Sequence, residues 1–217
     1  MHTKRQWCAV SIWLDHCRRS VIADVITLRQ LKMEAIKQQE AKSNPVALLL
    51  IAATCICGGA LIGASTNAVN GAVSPEYFRN IMRWVDVQNI WRASIAQGIF
   101  EGLIYGFMFS VVFTLVAGIV SRAQCSFATA WRHLFAIVIA IYCCWAIGGI
   151  LAIGLATLSP EFYRNAFIGV PEAYGPMIRY AWVGGSIWGS MFGGILAVII
   201  GSVLFAAKWR RNHSRNA

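Results

Sequence analysis

Four long apolar stretches separated by short polar segments dominate this chain of 217 residues. They cover roughly residues 45–66, 94–120, 134–158 and 180–207. A helix needs about 20 mostly apolar residues to cross the hydrocarbon core of a bilayer. Each stretch reaches that length, and only the second holds a charge, Glu101. None carries the polar face that a helix of a water-soluble bundle would turn to solvent. The pattern therefore predicts an all-α, polytopic membrane protein with four transmembrane helices.

Composition agrees. Hydrophobic residues make up 58% of the chain and charged ones 13%, about half the charge of an ordinary soluble domain. A disordered chain is excluded, because disorder needs low hydrophobicity and high charge. The net charge of +10 would suggest nucleic acid in a soluble protein. Here it reports topology, because Lys and Arg gather on the cytoplasmic side of membrane proteins. Residues 1–44, 121–133 and 208–217 hold fourteen of the nineteen basic residues, and the other two connections hold five. Both termini are thus expected in the cytoplasm, in a multi-pass protein of the cell membrane. The basic segments would face anionic lipids. Nucleic acid is not expected as a partner, since the aromatics lie in or beside the apolar stretches.

The pattern divides the chain into a basic N-terminal segment (1–44), a first membrane pair (45–120), a cytoplasmic loop (121–133), a second membrane pair (134–207) and a basic tail (208–217). The N-terminal segment lacks the layout of a signal peptide, with Asp15, Asp24, Glu34 and Glu40 ahead of the first apolar stretch. Residues 20–43 read as an amphipathic helix, with Val21, Val25, Leu28, Leu31 and Ile36 toward one side. A natural start also falls at Met33. Of the seven cysteines, Cys55, Cys57, Cys143 and Cys144 sit in apolar stretches and Cys8, Cys17 and Cys125 in segments expected to face a reducing cytoplasm. Cys8, His16 and Cys17 match no zinc spacing, so no metal or other cofactor is expected.

An internal repeat is the strongest sequence signal. Ser74 to Asn80 reads S-P-E-Y-F-R-N and Ser159 to Asn165 reads S-P-E-F-Y-R-N. Five of these seven positions match and the other two exchange Tyr and Phe. Farther on, Arg92 precedes Gly98, Gly102 and Gly106, and Arg179 precedes Gly185, Gly189 and Gly193. These matches predict a duplicated helical hairpin, with both copies facing the same way. In each motif Ser suits a helix N-cap, Pro the first helical position and Glu the positive helix end. The aromatics and Arg suit a membrane interface, so each outer connection should hold a short interfacial helix. The functional alternative is a ligand or ion site drawing on Ser74, Glu76, Arg79, Asn80, Ser159, Glu161, Arg164 and Asn165. Glycines four apart let two backbones approach closely where lipid supplies no hydrophobic drive. Gly98, Gly102, Gly106, Gly185, Gly189 and Gly193 are thus expected in helix packing, within the chain first and in self-association second.

Glu101 is the candidate functional residue. It lies about 10 Å into the second span at 1.5 Å per residue, and a charge there costs about 3 kcal/mol on insertion scales. Gln97, Glu101 and Tyr105 fall at i, i+4 and i+8, on one stripe. The second copy has Gly184, Trp188 and Phe192 in their places. No hydrolase, metalloprotease or nucleotide-binding motif appears, so an enzyme is not expected. The leading expectation is a non-enzymatic assembly or interaction component that forms a homo-oligomer or meets another membrane protein. The alternative is a small transporter or channel for an ion, proton or small solute, using the stripe around Glu101.

Overall fold

A computed structural model describes residues 29–34 and 44–214. Residues 29–34 are helical and exposed. The rest of the expected N-terminal amphipathic helix, and Cys8, His16 and Cys17, lie outside the described residues. From Asn44 onward the chain forms a separate unit, and that unit is all-helical. Its helices are α1 (Pro45–Val73), α2 (Pro75–Ile81), α3 (Ile90–Ser121), α4 (Phe127–Leu158), α5 (Pro160–Ala166) and α6 (Tyr174–Ser214). Four of them, α1, α3, α4 and α6, are long and apolar enough to cross a membrane.

Local chemistry sets the helix ends. Asn44 caps α1 by accepting from the Ala47 N–H at 3.1 Å, and Pro45 takes the first helical position. Asn89 caps α3 through the Arg92 N–H at 3.0 Å, and Ser126 caps α4 through the Thr129 N–H at 3.3 Å. After α3, Arg122 and Ala123 enter the left-handed region at φ 51° and 58°, which stops the helix. Ser74 and Ser159 hold N-cap positions but, contrary to expectation, neither side chain makes a capping bond. Their backbones act instead. Ser74 N–H closes α1 on the Asn70 carbonyl and Ser159 N–H closes α4 on Leu155, both at 3.0 Å. The proline that follows disfavours helical geometry at the serine, and a new helix starts at once.

The long helices overrun their sequence-read limits. α1 continues seven residues past Thr66, α3 starts four residues before Ser94, and α4 includes the expected loop residues 127–133. At the other end of the chain, α6 runs on through 208–214 of the expected tail. Polar side chains ended the apolar pattern at these places, but a helix keeps its own backbone hydrogen-bonded through the headgroup layer whatever its side chains.

α1 packs along its length on α3, and α4 on α6, while the two pairs meet more sparsely, chiefly along α3 and α6. Glycine explains the tight contacts. A Cβ at Gly63 would collide with the Gly98 carbonyl oxygen, and one at Gly102 with that of Gly59. A Cβ at Gly106 would lie 2.8 Å from the Cys55 oxygen. In the other pair, Gly148 meets Gly185, Gly189 meets the Cys144 carbonyl, and Gly193 meets the Cys144 side chain. One buried cluster, including Ile51, Phe113, Leu134 and Phe205, lies toward the chain-terminal end of the bundle. A second, including Tyr77, Phe78, Tyr163, Met177 and Tyr180, lies at the α2/α5 end. The outer face is apolar, with Leu61, Ile119 and Leu151 each about 70% exposed. An apolar belt of this extent belongs in lipid, not water.

Candidate functional site

The intramembrane stripe is a physical unit. Helical spacing stacks Gln97 one turn from Glu101, and the Gln97 Nε2 donates to Glu101 Oε1 at 2.7 Å. Tyr105 follows one turn on, its ring 6.2 Å from that of Phe109. All three side chains are half-buried. Glu101 and Tyr105 line a cavity of about 760 Å³ between the helix pairs, with walls from α1, α3, α4 and α6. Its wall is mostly apolar. Leu61, Trp131 and Phe135 line it while remaining about half exposed or more, so the cavity opens toward the surrounding medium.

Polar groups collect near the α2/α5 end. Thr66 and Asn67 of α1 line the cavity beside Gly98 and Glu101. Asn67, Asn70 and Ser74 fall at i, i+3 and i+7 on one face of the chain, and all three are buried. Asn70 is fully buried and accepts from Ser186 Oγ of α6 at 3.1 Å, while its Nδ2 has no hydrogen-bond partner. Ser94 donates to the Trp91 carbonyl at 2.8 Å. Nearer the middle, the Ser65 and Tyr142 hydroxyls lie 2.6 Å apart and tie α1 to α4. Sequence reasoning passed over Asn67, Asn70 and Ser186. The signal was present in T-N-A-V-N, with two amides on one helical face, but that run lay beyond the limit set for the first span.

The two S-P-E motifs serve different contacts. Glu76, Arg79, Glu161 and Asn165 are exposed. Asn80 reaches across to the connection between α5 and α6 and donates to the Gly169 carbonyl at 2.6 Å. Gly169 has φ +71°, a conformation that suits glycine. Arg164 stays local, donating through Nη2 to the Glu172 carbonyl at 2.6 Å, and its Nε is buried without a partner. The aromatics of the motifs are structural. Tyr77, Phe78 and Tyr163 are buried, and the Tyr77 and Tyr180 rings are 4.9 Å apart. Burial raises the Tyr77 phenol above its ordinary range, helped by the charge of Glu101. Burial, aided by Tyr77, pushes the Tyr163 phenol up to about 12. Both phenols therefore stay neutral at physiological pH.

Among the described residues, no three His, Cys, Asp or Glu side chains gather to hold a metal ion. Cys125 is fully buried, and burial raises its thiol despite an opposing backbone hydrogen bond from Ala130. The arrangement thus offers one carboxylate with an amide partner, set in an apolar cavity and bordered by further amides. No protein-family model, no curated protein and no solved structure matches this chain.

Proposed function

We propose that this is a non-enzymatic protein of the cell membrane, built as two parallel copies of one helical hairpin, with both termini in the cytoplasm. Its working site is the cavity between the copies, where a small solute binds or passes along Gln97, Glu101 and Tyr105. The observation that carries this reading is Glu101 on the wall of a cavity of about 760 Å³, its carboxylate held by the Gln97 amide. A carboxylate at that depth is costly to insert, and such groups favour a wet cavity or a functional pathway.

Several contacts favour duplication. Ser74 and Ser159 share nearly one backbone conformation, φ −145° and ψ 88° against φ −144° and ψ 79°. The Gly63–Gly98 contact has its counterpart in Gly148–Gly185, at sequence offsets of 85 and 87. The short helices α2 and α5, each opening with S-P-E, fit the interfacial role expected of them, and the basic bias of fourteen to five supports the orientation.

An assembly role stands second. The six ladder glycines meet their own chain, so a partner would have to use other surfaces. The exposed Trp188 and Phe192, stacked at 5.4 Å, offer one. Proteoliposomes separate the two readings. Solute flux lost in Glu101→Gln, at normal protein yield, supports the cavity reading. Unchanged flux together with a crosslinked partner on α6 supports assembly.

A further inference from the structure

We infer that the cavity takes a lipophilic cation from the bilayer, with its positive group at Glu101 and its apolar body along the cavity wall. This rests on the cavity reading given above. The first support is charge. The cavity wall includes Glu101 and no Lys, Arg or His. A carboxylate in low dielectric is stabilised by a counter-charge, and the polar groups around it are all neutral, Asn67 and Tyr105 on the wall and Gln97 beside it, so a cationic guest supplies the charge.

Shape and polarity agree. The α1 residues on the wall run from Thr54 to Asn67, which makes the cavity about 20 Å long at 1.5 Å per residue. A volume of about 760 Å³ spread over that length is a slot, not a sphere. Several wall hydroxyls are already satisfied within their own helices. Thr54 donates to Leu50, Thr66 to Ile62 and Ser190 to Ile187. The remaining polar side chains on the wall are Glu101, Tyr105 and Asn67 toward the α2/α5 end and the Trp131 indole toward the other. Toward the other end the wall is Phe109, Phe113, Leu134 and Val198. The Tyr105 ring, one helical turn from Glu101 on the same wall, also suits a cation with apolar substituents. Leu61 and Phe135, exposed at the cavity rim, leave a lateral entrance from lipid.

Gly58 provides the control. It lines the cavity, and a Cβ added there meets nothing within 4 Å. Gly58→Trp should fill the slot without disturbing the backbone contacts that its neighbour Gly59 makes with Gly102. The test measures binding of tetraphenylphosphonium and of neutral triphenylphosphine oxide to the full chain in detergent, with gel-filtration elution as the check on folding. The wild type should hold the cation about tenfold or more tighter than the neutral probe, as expected for a desolvated charge pair. Glu101→Gln should erase that preference, Glu101→Asp should keep part of it, and Gly58→Trp should block both probes. If both probes bind equally, Glu101→Gln changes nothing and Gly58→Trp still blocks them, the cation assignment is overturned and the cavity reading stands. If Gly58→Trp is also without effect, both are overturned.

Discussion

Gly63 and Gly58 lie five residues apart on α1 and should answer differently to the same change. Gly63 faces the Gly98 backbone, which cannot yield as a flexible side chain can, whereas Gly58 faces open space. Gly63→Ala should cost about 1–3 kcal/mol through overpacking, and Gly58→Ala should stay within about 0.5 kcal/mol of wild type. Reversible unfolding in micelles measures both, and equal losses would refute the assigned close contact. Asn70 gives a second residue-scale test. Ser186→Ala strands the Asn70 oxygen and should cost about 1 kcal/mol, since bonds of this kind in membranes are modest. Adding Asn70→Leu removes the stranded group and should recover most of that loss. A double mutant less stable than Ser186→Ala would mean that the amide has another partner. Cys125 was expected in a cytoplasmic loop, and it is fully buried with a raised thiol. The reactive thiolate is scarce below that raised range and grows as pH increases. Maleimide labelling of Cys125 should therefore be slow at pH 7 and accelerate at alkaline pH. Fast labelling at pH 7 would contradict its burial.

At the scale of elements, the short helices do more than turn the chain around. α2 belongs to the first membrane pair, yet Asn80 bonds the connection that follows α5, and Tyr180 of α6 donates to Ile168 in that same connection at 2.6 Å. Two side chains thus hold one irregular segment by its carbonyls, which have no helical partner there. Asn80→Ala should leave the long helices intact and raise amide hydrogen exchange across residues 167–173, because stability is local. Exchange that rises equally in α4 and α6 would mean that Asn80 supports the whole bundle. The glycine contacts belong to this scale too. They are concentrated within each helix pair, and the looser meeting of the pairs leaves space for the cavity.

For the whole molecule, orientation is open to a direct measurement. Glu76→Cys and Glu161→Cys place thiols on exposed positions of α2 and α5. With the termini in the cytoplasm, both should label from outside intact cells with a membrane-impermeant reagent, and Lys208→Cys should not. The opposite pattern would reverse the proposed topology. The sequence by itself determined that the chain is helical and membrane-sized, because four charge-poor runs of 20 or more residues can satisfy their backbones in lipid only as helices. Glycine spacing, a local property of one helix face, marked candidate packing positions, but which backbone each glycine meets is a matter of the tertiary structure. The tertiary structure alone decided which polar groups meet. Asn70 and Ser186 are 116 residues apart and Asn80 and Gly169 are 89 apart, and no spacing rule connects positions on different helices. It decided likewise that Glu101 borders a cavity and not a packed seam, because a void arises where helices from separate pairs diverge, and divergence leaves no mark on the residues of any single helix.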